Sequence, residues 1–258
     1  MKALVTGGAK RLGRAMALYL ADQGYDVAIH YNTSAKDADD VVALIKAKGR
    51  HAVALHADIL DEAQVCDLID RASKGLGGAL TCLINNASVF EYDTLATATR
   101  TSWDRHIESN LRAPIVLAQR FAQQAPKALI DENGEPLAQS LIINMLDQRV
   151  RKLTPEFMSY TIAKMGLWAF TQTSARALAP DIRVNAIGPG PTIQGARQTE
   201  QHFDDQRKNT ILKRGSNPQD ICVALGYFLT APSVTGQLLC TDGGQHLGWE
   251  TPDILGVE

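Results

Sequence analysis

Cysteine is sparse in this chain and carries no pattern. Four occur in 258 residues (Cys66, Cys82, Cys222 and Cys240), and no two form a Cys-x-x-Cys pair. Reduced structural thiols are the expectation, with no metal site. Charge of neither sign is in surplus: 26 basic residues stand against 28 acidic ones, which leaves no basic field for nucleic acid. No apolar run is long enough to span a bilayer. The opening Lys2-Ala3-Leu4-Val5-Thr6 lacks the charged region, apolar core and cleavage site of a signal peptide. Repeats and low-complexity segments are also missing. Together these absences predict a soluble cytoplasmic protein, 1–258 forming a single domain with a substantial core, that binds neither nucleic acid nor membrane.

What the chain does have is alternation. Short apolar runs at Lys2–Thr6, Asp26–Tyr31, His51–Ala57, Leu80–Asn85, Leu141–Met145, Ile182–Ile187 and Gln237–Thr241 read as seven strands. Between them lie helix-period segments: Leu12–Gln23, one with Ala38, Val41, Val42 and Ile45, and one with Val65, Leu68, Ile69 and Ala72. A long helix is expected from about Thr99 to Gln124, with Pro114 kinking it or removing a hydrogen bond. Asp131–Pro136 reads as a surface turn, and Pro218–Thr230 as a helix. Strands apolar on both faces suit a parallel sheet covered on both sides, so the fold class is α/β, a Rossmann-like doubly wound parallel sheet flanked by helices.

Two clusters carry chemistry. Gly7, Gly8 and Gly13 lie between the first strand and the first helix. Glycine allows the backbone to turn tightly and approach a pyrophosphate, and the helix N-terminus supplies free N–H groups to the anion. Tyr160 and Lys164 stand four apart on one predicted helix face. A cation near a phenol favours the phenolate, which predicts a Tyr160 poised for proton transfer near neutral pH. The end of the second strand, His30-Tyr31-Asn32-Thr33-Ser34, has no carboxylate to bind a ribose diol. Its imidazole, amide and hydroxyl groups suit a 2′-phosphate, so NADP(H) is expected over NAD(H).

In order along the chain, Thr6–Gly13, Asn85-Asn86-Ala87-Ser88, the Tyr160–Lys164 segment and Pro189-Gly190-Pro191-Thr192 resemble the short-chain dehydrogenase/reductase family over nearly the whole length. The resemblance implies Asn110, Tyr160 and Lys164 as reacting groups. It also implies cofactor contacts from Gly7, Arg11, Leu12 and Gly13 at the pyrophosphate, and from His30, Tyr31, Asn32 and Ser34 at the ribose phosphate. Asp58 and Ile59 would lie at the adenine, Asn86, Ala87, Ser88 and Met145 along the inner ribose, and Pro189, Gly190 and Thr192 at the carboxamide. Three departures from the family pattern, Arg11 for glycine, Ser88 for glycine and Asp147 for the usual serine, resemble the pteridine reductase branch, as do the His30-Tyr31 segment and Phe90. That branch implies a flat heterocycle stacked by Phe90 and addressed by Arg11, Ser88, Asp147 and Tyr160.

The expectation is therefore an NADPH-dependent reductase acting on a C=N or C=O group of a small-molecule, pteridine-like substrate. A generic carbonyl or 3-oxoacyl reductase and a non-catalytic NADP-binding sensor are the alternatives. The polar stretch Gln194–Asn209 follows a strand end, and a substrate lid around 193–216 is expected. The apolar run Met165, Leu167, Trp168, Ala169 and Phe170 on the Tyr160 helix, together with the family's habit, implies a homotetramer.

Overall fold

The computed structural model describes residues 1–195 and 197–249; Ala196, inside the expected 193–216 lid, and 250–258, the end of the expected domain, lie outside the described residues. The apolar runs form β1 (Lys2–Val5), β2 (Asp26–Tyr31), β3 (Ala52–His56), β4 (Cys82–Asn85), β7 (Ser140–Met145), β8 (Ile182–Pro189) and β9 (Leu238–Thr241). They pair in parallel in the order β3-β2-β1-β4-β7-β8-β9, and a separate antiparallel hairpin, β5 (Leu129–Ile130) with β6 (Pro136–Leu137), flanks the expected polar turn. The chain winds outward from β1 to β3, then returns to β4 and winds the other way. This reversal opens a crevice beyond the strand ends between β1 and β4, the usual ligand position in such sheets.

Strand alternation divides the core. Ala3 and Val5 pack on one face with Met16 and Leu20 of α1 (Arg11–Asp22) and Val41 and Ile45 of α2 (Ala35–Ala47). Leu4 and Leu83 pack on the other with Leu68 and Ile69 of α4 (Leu68–Leu76) and Phe121 of α6 (Ala113–Gln124). Phe228 of α9 (Pro218–Thr230) completes the first face. Truncating a fully buried phenylalanine such as Phe121 to alanine costs roughly 3–5 kcal/mol.

Two helical expectations are corrected, and a helix stands where none was expected. The helix expected over Thr99–Gln124 is α5 (Arg100–Ile107), a π-helical turn at Glu108–Arg112, and α6. Pro114 is the cause: it has no N–H to return to Asn110, four residues back, and the chain bonds at a wider interval, Ala113 N–H to Glu108 O. The helix expected around Val65–Ala72 is broken at Asp67 into α3 (Glu62–Cys66) and α4. The polar 194–209 stretch contains α8 (Glu200–Lys208), which Thr199 caps and which buries no residue. The remaining helix, α7 (Met158–Ala177), carries Tyr160 and Lys164. Among the described residues no helix is long and apolar enough to cross a membrane.

Candidate active site

The glycine turn after β1 is built around a side chain from the neighbouring strand. Asn86, following β4, donates its amide to Thr6 O (2.8 Å) and Gly7 O (3.2 Å). Thr6 Oγ1 accepts from the Asn86 and Ala87 N–H groups at 2.8 and 3.0 Å. Gly7 takes φ +61°, and a Cβ at Gly13 would lie 2.1 Å from Gly7 O and 2.6 Å from Asn86 Nδ2. Only glycine fits at Gly13. The first turn of α1 has no side-chain cap, so its N–H groups are left for an anion, and this cradle fits a dinucleotide pyrophosphate.

His30 has a different job from the expected one. It is 2% exposed. Its Nδ1 accepts from Gly7 N–H at 3.0 Å, and its Nε2, which then carries the proton, donates to Ala57 O at 3.0 Å. Both nitrogens are spent on holding the glycine turn to β2 and the end of β3. The expectation of an imidazole donor to a ribose phosphate does not fit this arrangement. Burial lowers His30 to about 4, which keeps the ring neutral. Asn32 and Thr33 are exposed, and Ser34 begins α2 without using its side chain as a cap. A cation overlooked in the sequence joins them: Lys10, in the glycine loop, pairs with Asp37 of α2 at 3.0 Å. Tyr31 packs edge-on against His56. Asp58 accepts from Leu60 N–H at 3.0 Å in a local turn, and Asp61 caps α3. Ile59 is half-buried beside it.

Arg11 stands where a glycine would suit the backbone better, at φ +51°. Its guanidinium donates to Ile193 O and Gln194 O, both at 2.9 Å, and so ties the glycine loop to the start of the expected lid. Within the expected 193–216 lid, Arg207 of α8 donates to Pro191 O at 2.9 Å and Ser216 O at 2.6 Å. Leu12, half-buried behind Arg11, packs on the core. Thr192 Oγ1 donates to Gly190 O, and Gly190 N–H to Thr241 O, which folds the Pro189–Thr192 turn over the crevice.

The reacting groups meet at the ends of β4 and β7. Tyr160 OH donates to Asp147 Oδ2 at 3.1 Å. Arg149 N–H donates to Asp147 Oδ1 at 2.8 Å, and Lys164 Nζ donates to Met145 O at 2.8 Å. The titrations differ from expectation. Burial raises Tyr160 well above the usual phenol range, and the charge of Asp147 and its hydrogen bond add to the rise. The expected cation-driven phenolate is therefore overridden. Burial also raises Asp147, against the pull of Arg149, Tyr160 and Lys164. Lys164 is lowered to about 8 by burial, with Asp147 opposing. Asp147, Tyr160 and Lys164 therefore titrate as one coupled unit.

Asn110, fully buried in the π turn, gives its amide to Val89 O at 2.9 Å and receives Ser88 Oγ at 2.5 Å. It sets the loop that carries Phe90. Phe90 is 44% exposed and meets the Tyr160 ring edge-on at 4.7 Å. Phe157, unmarked in the sequence, stacks on it at 4.4 Å. Arg197, inside the expected lid, lies over Phe90 at 5.3 Å, and Arg149 over Phe157 at 4.9 Å. A pair of aromatic rings flanked by two guanidinium groups therefore borders the phenol–carboxylate pair. Among the described residues no group of three or more His, Cys, Asp or Glu side chains is placed to hold a metal ion.

Comparison with known proteins agrees with this geometry. A family described as Enoyl-(Acyl carrier protein) reductase matches residues 7–246. The 3-oxoacyl-[acyl-carrier-protein] reductase FabG of Staphylococcus epidermidis is 30% identical over 250 residues, covering 95% of this chain and 98% of its own. The crystal structure of FolM alternative dihydrofolate reductase 1 from Brucella suis, in complex with NADP, is 41% identical with a TM-score of 0.90, covering 98% of both chains. Its counterpart from Brucella canis, also with NADP, is 39% identical with a TM-score of 0.89, covering 99% of this chain and 98% of that one.

Proposed function

The chain belongs to the short-chain dehydrogenase/reductase family, and from that premise we propose that it is an NADPH-dependent reductase of pteridine-like heterocycles. The observation that carries the substrate class is the Asp147–Tyr160 pair at 3.1 Å with the exposed Phe90 ring beside it. A simple ketone needs one proton donor. A pterin ring offers a donor–acceptor edge that a carboxyl group can address and a flat face that aromatic rings can cover.

Bound NADPH supplies hydride to a C=N or C=O carbon. The uncapped N-terminus of α1, with Gly7, Arg11, Leu12 and Gly13, is suited to its pyrophosphate, and Lys10, Tyr31, Asn32 and Ser34 to the ribose phosphate. Asp58 and Ile59 border the adenine position. Asn86, Ala87, Ser88, Met145, Tyr160 and Lys164 line the inner ribose, and Pro189, Gly190 and Thr192 the carboxamide. His30 acts from behind, through Gly7. At the reacting end, Tyr160 keeps its proton on the phenol oxygen because Asp147 accepts that hydrogen bond and burial disfavours the phenolate. Asp147, raised by burial, can share a proton with a ring nitrogen. Lys164 holds positive charge beneath them. Asn110 holds Ser88 and Val89 so that Phe90 faces the slot.

The FabG relative keeps a 3-oxoacyl reductase in view, since Tyr160 and Lys164 serve that reaction equally well. Oxidation of NADPH over a panel of pterins, dihydropterins, aliphatic ketones and oxoacyl thioesters separates the readings. Pterin turnover with antifolate competition supports the assignment. Ketone or thioester turnover alone overturns it in favour of the carbonyl reductase, and cofactor binding without turnover points to a sensor.

Two further parts of the proposal concern setting. A cytoplasmic location fits NADPH chemistry. A homotetramer fits α7, whose Ile162 and Met165 are 44% and 38% exposed, and the apolar groove of about 250 Å³ between α6 and α7 lined by Ala118, Phe170 and Leu178. A monomer mass by light scattering at micromolar concentration would contradict the assembly.

A further inference from the structure

A second polar cluster lies behind the reacting groups. Asp93, His106 and Ser159 are 1%, 0% and 0% exposed and come from three separate segments: the loop after β4, α5 and α7. Ser159 Oγ donates to Asp93 Oδ2, and His106 Nδ1 lies 2.6 Å from Ser159 Oγ. His106 Nε2 accepts from Glu91 N–H at 3.0 Å. That contact fixes the tautomer. A ring whose Nε2 accepts must carry its proton on Nδ1, so it donates to Ser159, and Ser159 passes its own proton toward Asp93. Burial holds His106 below its usual range against the pull of Asp93 and Glu91, in keeping with the neutral ring this chain of bonds requires. The serine is the middle member and is sealed from solvent. It is therefore no nucleophile.

The cluster grips two functional segments at once. On the loop side, His106 and Asn110, four residues apart, hold the chain on either side of Phe90: Asn110 at Ser88 and Val89, His106 at Glu91. On the helix side, α7 begins at Phe157 in the left-handed region, φ +55°, with no side-chain cap of its own. Asp93 replaces the cap from a distance. Its carbonyl accepts from Phe157 N–H at 2.8 Å, and its carboxylate from Ser159 N–H at 3.1 Å. Ser159 is the residue before Tyr160, and the His106 ring lies edge-on to the Tyr160 ring at 6.0 Å.

We propose that Asp93, Ser159 and His106 are positioning residues: through the Ser159 hydroxyl they fix the Phe90 loop against the start of the Tyr160 helix and so set the width of the substrate slot. The turnover part of this proposal rests on the reductase reading above; the structural part does not. The test therefore has two arms, run on the full-length protein with Ser159→Ala and Ser159→Thr. Hydrogen exchange at the Glu91 and Ser159 amides is the first arm. Ser159→Ala should speed exchange at both by about tenfold, the effect of losing one buried hydrogen-bond link, and Ser159→Thr, which keeps the hydroxyl, should restore protection. Unchanged exchange in Ser159→Ala, or equal loss in both variants, overturns the relay whatever the substrate. Steady-state kinetics on the best substrate of the panel is the second arm. Ser159→Ala should lower kcat/KM by roughly ten- to a hundredfold with NADPH affinity unchanged, as misplacement of a reacting group does, and Ser159→Thr should recover most of it. Faster exchange with normal kcat/KM would leave a purely structural cluster and overturn the positioning role.

Discussion

The Tyr160 hydroxyl donates to the Asp147 carboxylate across 3.1 Å, while Lys164, one helical turn on, spends a hydrogen bond on Met145 O. The phenol is thus oriented by an acid and not by the cation that follows it in the sequence. Tyr160→Phe should cut turnover by roughly a hundred- to ten-thousandfold, the range of acid–base catalysis, with NADPH affinity little changed. Asp147→Ser should replace the carboxylate acceptor of the phenol by a shorter neutral hydroxyl, depress pterin turnover, and shift the substrate panel toward simple carbonyls. Steady-state rates on both substrate classes check this, and equal losses on pterins and ketones would remove Asp147 from substrate recognition.

Lys164 sets a basic limb. Burial brings its ammonium down to about 8, and its charge opposes the burial of Asp147. A lowered lysine is charged below that value and neutral above it. Turnover that needs the cation should therefore hold on the acid side and fall as pH rises through about 8. Lys164→Arg should remove this limb, because a guanidinium stays protonated throughout the range. A rate profile flat from neutral to pH 9 in the unmodified enzyme would contradict the assignment.

His30 links stability to pH. Its folded value is about 4, well below that of a free imidazole. The unfolded chain therefore binds a proton first as pH falls. Its contribution is fully present above about 6.5 and is lost progressively as pH drops toward 4, a loss of roughly 3 kcal/mol. Denaturant midpoints measured at pH 7 and pH 4.5 in the natural chain and in His30→Gln should show the smaller shift in the variant. His30→Gln should also weaken NADPH binding indirectly, since Gly7 loses the acceptor that holds the glycine turn.

Cofactor choice should rest on Lys10 and Ser34. No carboxylate ends β2, and Lys10 bridges from the glycine loop to Asp37 on α2. A 2′-phosphate would gain the ammonium as a partner. Lys10→Ala should weaken NADPH by roughly tenfold, the scale of one charged hydrogen bond, and leave NADH nearly untouched. Ser34→Asp should disfavour NADPH by placing a negative charge against the phosphate. Fluorescence titration with both cofactors decides it, tighter NADH binding by the unmodified protein being the contrary outcome.

The legible part of this protein is the part written locally. Seven apolar runs became seven strands of one sheet, because the central strands β1, β4 and β7 are covered on both faces and are therefore mostly apolar. Gly7, Gly13, Tyr160 and Lys164 stood in short motifs, and Asp147 was readable only through the resemblance, as the residue where the family pattern has serine. What escaped was set by contacts across the chain. Helix α8 lies in a polar segment where periodicity is weak, and the break at Asp67 falls inside a helical period, Val65, Leu68, Ile69 and Ala72, that runs straight through it. The role of His30 depends on Gly7 and Ala57, and that of Ser159 on Asp93, 66 residues away. Phe157 carries no motif; its place beside Phe90 follows from how Asp93 starts α7.

Arg11 permits a test that separates strain from contact. Its backbone sits at φ +51°, a conformation costing a residue with a Cβ on the order of 1 kcal/mol, and its guanidinium holds the lid through Ile193 O and Gln194 O. Arg11→Ala keeps the strain and removes the clamp. Arg11→Gly removes both. If both features are as described, the two variants should loosen the lid equally, seen as faster hydrogen exchange at Ile193–Gly195, yet differ in stability by about 1 kcal/mol in favour of glycine. Their kinetics then report what the clamp does. A lid freed from Arg11 should open faster and close less often over the Phe90 slot, raising KM for the planar substrate more than it lowers kcat. Equal melting temperatures for the two variants would show that the positive φ carries no strain here, and unchanged exchange would show that Ile193–Gly195 are held without Arg11.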